Sequence, residues 1–77
     1  MKFSPYVSKS VYSKVASDHK IKASQILEHK DARAQVFKSC YEAGLTMLEI
    51  ATQFDTTPPT VYRNMKRAYP KEFRGRA

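Results

Sequence analysis

The sequence predicts an all-α fold. Three observations carry that expectation. Apolar residues recur at helical spacing along most of the chain. A capping box, Thr46 with Glu49, sits at the head of one apolar run, and Thr57-Pro58-Pro59 opens another in the way that first-turn prolines do.

Taken in order, Phe3, Val7, Val11 and Val15 recur every four residues with Tyr12 and Ala16 beside them. Ser4-Pro5 reads as an N-cap followed by a first-turn proline, which predicts a helix over 5–17. The stretch 11–15 also alternates like a strand, and its serines and β-branched residues are indifferent helix formers. Ser17-Asp18-His19-Lys20 reads as a polar break. Ala23, Ile26 and Leu27 then predict about two helical turns within 22–30, and Asp31 is a candidate N-cap for the next helix. The pattern leaves open whether Asp31 separates two helices or lies inside a longer one. Val36, Phe37, Cys40 and Tyr41 form one stripe of a helix over 32–43, with Gly44 placed as its left-handed stop. Thr46 and Glu49 start a short helix over 47–54 carrying Leu48, Ile50, Ala51 and Phe54. Asp55-Thr56-Thr57 makes a turn, Thr57 caps a last helix over 57–68, Pro70 stops it, and 70–77 reads as a basic tail.

The charge balance points to a kind of partner. The chain has 77 residues, with 14 Lys plus Arg against 7 Asp plus Glu. Residues 1–30 carry six lysines against Asp18 and Glu28. Residues 31–56 carry Arg33 and Lys38 against Asp31, Glu42, Glu49 and Asp55. Residues 57–77 carry Arg63, Lys66, Arg67, Lys71, Arg74 and Arg76 against Glu72 alone. Basic ends around an acidic middle favour a polyanion, because each cation set on a phosphate releases condensed counterions. A chain of this length buries only about 60% of its unfolded surface, which leaves little core for a preorganised active site. A binding module is therefore expected rather than an enzyme, with no cofactor. No apolar run approaches the roughly 20 residues of a membrane span, and no h-region comes after Met1-Lys2-Phe3-Ser4-Pro5. A cytoplasmic setting without membrane contact is the expectation.

Two short helices joined by three residues, with Ala51 five positions into the first and Val61 five into the second, have the sequence form of a helix-turn-helix. The small Ala51 permits close approach. Leu48, Ile50 and Phe54 fill the angle, and Val61 with Met65 turns the second helix onto that core, closed by Leu45, Val36 and Phe37. On a wheel of 100° per residue Val61, Met65 and Ala68 face inward with Tyr62 at the margin, so the outer face presents Pro59, Thr60, Arg63, Lys66 and Arg67.

The run 43–54, Ala-Gly-Leu-Thr-Met-Leu-Glu-Ile-Ala-Thr-Gln-Phe, with Thr57-Pro58-Pro59-Thr60-Val61-Tyr62-Arg63 after it, resembles the three-helix DNA-binding domain of Hin-type invertases, resolvases and related transposases. The resemblance covers 31–69. It departs from the family in having Asp55 where the turn usually holds Gly, and there is no room for the recombinase catalytic domain. What it implies is double-stranded DNA binding without recombination. The helix over about 57–68 would lie in the major groove, in a small transcription regulator or accessory factor. The size also fits a phage or mobile-element product. In helix-turn-helix docking the start of the second helix meets base edges, so Pro59, Thr60 and Arg63 are the expected base contacts, Arg63 being able to bind guanine bidentately. Thr46, Thr57, Asn64, Lys66 and Arg67 are the expected backbone contacts. The family also lays a basic arm in the minor groove, a part that Lys20 and Lys22 or Arg74 and Arg76 could take.

Blander readings compete at several positions. Tyr62 and Tyr69, near the core face, are expected to pack with solvated hydroxyls, and Met47 and Met65 to fill gaps. Cys40 is expected as a small buried residue. His19, His29 and Cys40 lack any metal-ligand spacing, so no metal site is expected. The rival function is a protein-interaction module or inhibitor binding a polymerase or nuclease subunit. Its basis is the N-terminal set Phe3, Tyr6, Val7, Val11, Tyr12 and Val15, which would serve a homodimer or a protein partner, or else wall the core. A single half-site reader would need such a dimer or partner for useful specificity.

Overall fold

The computed structural model describes residues 4, 5 and 7–73. The first helix, α1, is Lys9–His19. It starts later than expected, after an extended Ser8, because Ser4 is not a cap but a buried anchor. Its hydroxyl donates to Gln53 Oε1 at 2.8 Å and its amide donates to the Tyr12 hydroxyl at 3.0 Å. The alternating stretch 11–15 is helical, with Tyr12, Val15 and Ala16 buried. The expected break at 17–20 is mostly the last turn of α1. The helix ends at Lys20, φ 56°, where the Ile21 amide donates to the Ala16 carbonyl at 3.0 Å and the Lys20 amide to the Ser17 carbonyl. That is the paired closure of a Schellman motif.

The segment expected as a two-turn helix is a 3₁₀ helix, Ala23–Glu28, with Ile26 fully buried. Such tighter turns serve as connectors, and this one leads the chain from α1 into the next helix. That helix, α2, is Lys30–Glu42. Its N-cap is His29 rather than the expected Asp31. The His29 backbone is already extended, φ −101° and ψ 112°, and its Nδ1 accepts from the Ala32 amide at 3.2 Å. Asp31 therefore falls in the first turn, where a carboxylate suits the positive end of the helix. Ala32, Val36, Phe37 and Cys40 enter the core, whereas Tyr41, expected on the same stripe, is 46% exposed. Gly44, φ 102°, ends α2 as expected. The Leu45 amide reaches the Cys40 carbonyl and the Gly44 amide the Tyr41 carbonyl.

Helix α3, Met47–Gln53, begins with the expected capping box. Thr46 Oγ1 accepts from the Glu49 amide at 3.1 Å and Glu49 Oε1 from the Thr46 amide at 2.8 Å. Ile50, Ala51 and Phe54 are buried, but Leu48, expected to fill the angle, is 64% exposed. The wheel explains this, because Leu48 lies about 110° round from the mean direction of those three residues. Asp55 takes the left-handed φ of 58°, and the Thr56 amide closes onto the Ala51 carbonyl at 2.9 Å. Helix α4, Pro58–Ala68, comes immediately after, with Thr57 as N-cap. The Thr57 hydroxyl does not cap the helix. It shares a 2.9 Å hydrogen bond with the Thr60 hydroxyl, and Pro59 at the second helical position has no amide to offer it.

The supposed start of the basic tail is structured as well: Pro70–Phe73 is a helical turn, α5, and Phe73 is buried. It is seated by an edge contact with Tyr41, ring centroids 5.5 Å apart, and by the Tyr62 hydroxyl, which donates to its carbonyl at 2.6 Å. The Lys38 ammonium adds a 2.8 Å ion pair to Glu72 and lies 4.4 Å from the centre of the Tyr69 ring. One apolar cluster joins all these elements. At its centre Phe37 and Phe54 meet edge to face at 5.2 Å, with Met65, Val61 and Ile50 fully buried around them. Helix α4 packs on α2, α3 and α5, and α1 closes the other side of α2. No strand occurs among the described residues.

Candidate functional site

Helix α4 is two-faced. Val61 and Met65 are buried, whereas Pro59, Arg63, Lys66 and Arg67 are exposed and Thr60 is half-exposed. The sequence of α4 contains three cations and no carboxylate, so its outer face is uniformly positive. Arg63 and Lys66 make no hydrogen bond or ion pair among the described residues. Arg67 reaches Asp31 at 3.4 Å in an exposed pair, a geometry that contributes about 0–1 kcal/mol.

Asn64, expected to face a phosphate, is otherwise engaged. Its Oδ1 accepts from Arg33 Nη2 at 2.7 Å and from Arg33 Nε at 3.2 Å, while its Nδ2 donates to the Thr60 carbonyl at 2.7 Å. The Arg33 Nη1 donates to the Leu27 carbonyl at 3.0 Å. Lys30, Arg33, Arg63, Asn64 and Arg67 together line a groove of about 210 Å³ between the first turns of α2 and the outer flank of α4. Arg33 is half-buried there, and its acceptors among the described residues are all neutral. Desolvation, and then the neighbouring Arg67 charge, push its pKa below the ordinary arginine range. Lys30 and Arg33 were not singled out by sequence reasoning. Their spacing of three, which sets both on one face of a helix, was the available signal.

The other expected residues are more dispersed. Thr46 and Thr57 are exposed at the starts of α3 and α4. Lys20 and Lys22 are exposed too, but Lys20 closes α1 and Lys22 opens the 3₁₀ helix, with the half-buried Ile21 between them, so this stretch is built into the fold. Arg74 and Arg76 lie outside the described residues. Tyr69 is half-buried, and its hydroxyl is pushed above the ordinary tyrosine range by desolvation. Tyr62 is not simply solvated at its tip, since its hydroxyl holds α5.

Of the N-terminal apolar set, Tyr12 and Val15 are core, and Val7 and Val11 pack against it, while Phe3 and Tyr6 lie outside the described residues. The His19 and His29 rings are 5.2 Å apart, with His19 Nε2 2.8 Å from Gln35 Oε1 and His29 Nδ1 serving as a cap. Among the described residues no three His, Cys, Asp or Glu are grouped to hold a metal ion, and no helix is long and apolar enough to cross a membrane. Comparisons with protein-family models, curated proteins and solved structures give no match for this chain. The class defined by fold and site is therefore a small all-helical domain with a cationic helix face.

Proposed function

We propose that the chain binds double-stranded DNA, with α3, the turn at 54–57 and α4 acting as a helix-turn-helix and α4 entering the major groove. The observation that carries this reading is α4 itself. Its inner face is locked into the core, and its outer face offers Pro59, Arg63, Lys66 and Arg67 to a partner, with no acidic residue on the helix. An exposed helix of this kind matches the width of the major groove, and Arg63, with no partner among the described residues, is available for a guanine edge. The likeness of 43–54 and 57–63 to the DNA-binding domains of Hin-type invertases and resolvases supports the same reading. Thr46, Thr57, Lys66 and Arg67 would flank the reader as backbone contacts. A protein-interaction role draws on the N-terminal apolar set, of which Tyr12 and Val15 belong to the core while Val7 and Val11 are only partly buried against it.

The test is selection from a random duplex pool, and then binding of the winner and of a scrambled duplex across a salt series. A defined site that survives physiological salt is the expected result, and its half-site count reports whether a monomer or a dimer binds. Arg63→Ala with Arg67→Ala should abolish the preference. Equal, weak binding of every duplex that vanishes by about 200 mM salt would reduce the interaction to phosphate attraction and overturn the proposal.

A further inference from the structure

Among the described residues the groove between α2 and α4 has more positive charge than paired counter-ions. Lys30, Arg33, Arg63 and Arg67 line it. Among the described residues the one carboxylate paired with any of them is Asp31, 3.4 Å from Arg67 and itself exposed. Arg33 is the informative member. Exposed lysines and arginines are solvated by water and need no partner, but this guanidinium is half-buried and fixed in orientation from two sides. Asn64 Oδ1 takes Nε and Nη2, and the Leu27 carbonyl takes Nη1. Both holders are neutral. They orient the fork without compensating its charge, and an arginine offers five N–H groups, so donors remain for a further acceptor. Three more cations around such a group raise the electrostatic cost of the empty groove, and a bound anion would lower it.

We infer that the α2–α4 groove seats one phosphate group, with Arg33 as its oriented fork and Lys30 and Arg67 as its surrounding charge, Arg63 at the groove's edge being left to the bases, and that in the bound state this group is a phosphodiester of the DNA backbone beside the strand that α4 reads. The identity of the phosphate rests on the DNA-binding proposal, whereas the seat does not. Asn64 becomes a residue that positions Arg33 rather than a phosphate contact. The seat also gives α2 a part in docking and would fix the rotation of α4 in its groove, since a phosphate held at one flank of a helix sets which residues face the bases.

Two arms test this on the full chain. In the first, ¹⁵N-labelled protein is titrated with inorganic phosphate at constant ionic strength against sodium chloride. Saturable shifts of the Arg33 Nε–H and Asn64 Nδ2 signals are expected with phosphate and not with chloride, together with a phosphate-dependent rise in Tm. Diffuse, non-saturating shifts over all cations would overturn the seat. In the second, duplex binding is measured against salt. Arg33→Gln should weaken the selected and the scrambled duplex by the same factor, about tenfold, and lower the salt slope by about 0.9, with Lys71→Gln on the α5 turn, outside the groove lining, as control. Should Arg33→Gln unfold the chain, the exposed Arg67→Gln carries the same expectation. Asp31→Asn should tighten duplex binding, because it removes the competing carboxylate. Unchanged slopes in the Arg33 and Arg67 variants would overturn the inference. Phosphate saturation without any duplex binding would keep the seat and remove DNA as its ligand, which separates this failure from that of the reading helix.

Discussion

Arg33 and Asn64 join α2 to α4 through a forked contact in which Nε and Nη2 of one guanidinium both donate to a single amide oxygen, at 3.2 and 2.7 Å. The pair lies on the flank of α4, between its buried and its exposed faces, so it serves packing and orientation together. Asn64→Ala removes the acceptor and leaves a half-buried cation short of partners, and should cost about 1–3 kcal/mol of stability. Urea denaturation of the variant beside the native chain measures the loss, and an unchanged midpoint would show that water replaces the amide without penalty.

Arg63 and Lys66 are both exposed on α4 and unpaired among the described residues, yet different outcomes are expected from them. Arg63→Ala should cost about 1–3 kcal/mol on the preferred duplex and relax sequence preference at one position. Lys66→Ala should weaken all duplexes alike and lower the salt slope by about 1. Parallel selections with each variant check the contrast, and identical profiles for the two would remove the distinction between reading and anchoring.

Phe73 is buried although it lies beyond a proline that reads as the end of the structure. Its ring contacts Tyr41 and Tyr62, so Phe73→Ala should cost about 3–5 kcal/mol, as for other buried aromatic truncations. Thermal melts of Phe73→Ala and of a chain ending at Tyr69 should fall together, and a full-length melt unaffected by the substitution would contradict this seating.

Among the described residues three helices end at left-handed residues, Lys20, Gly44 and Asp55, and only one of the three is glycine. A Cβ built on Gly44 meets nothing within 4 Å, so Gly44→Ala should cost only the backbone strain of φ 102°, about 1–2 kcal/mol. Asp55→Gly works in the opposite sense and should stabilise by up to about 1 kcal/mol, the relief of strain being partly offset by a freer unfolded chain. Chemical denaturation gives both signs in one experiment.

Burial raises the Cys40 thiol above its ordinary value of 9.0, and desolvation raises the Tyr12 and Tyr69 hydroxyls above 10.0. Each of these acids binds its proton more tightly folded than unfolded. Its contribution is therefore complete below the unfolded pKa and lost as pH rises through the folded one. Stability should be level near neutrality and decline above about pH 9, with Cys40→Ala moving the onset toward 10. A urea midpoint series from pH 7 to 11 tests this, and the rate of thiol labelling at pH 8 should track unfolding rather than surface access.

Much of the fold is legible in the sequence where a local rule meets no competitor. The Thr46 and Glu49 box, the Gly44 stop and the start of α4 at Pro58 all stand where propensity puts them. The misplacements arise where a distant group wins. Ser4 is drawn away from capping by Gln53, 49 positions along the chain, and His29 takes the cap from Asp31 because its backbone is already extended. Phe73 is invisible in a window dominated by charge because its pocket is made by Tyr41 and Tyr62 from two other helices. At the candidate site, the exposure of Arg63, Lys66 and Arg67 can be read from the wheel. The engagement of Asn64 cannot, since its partner Arg33 lies 31 positions earlier.

Helix α4 is packed on α2, α3 and α5 along one face and exposes the other to solvent. Its conformational entropy is surrendered during folding, before any ligand arrives. Docking on that face would then behave as a rigid-body event, with a heat-capacity change set by the contact area alone and no contribution from coupled ordering.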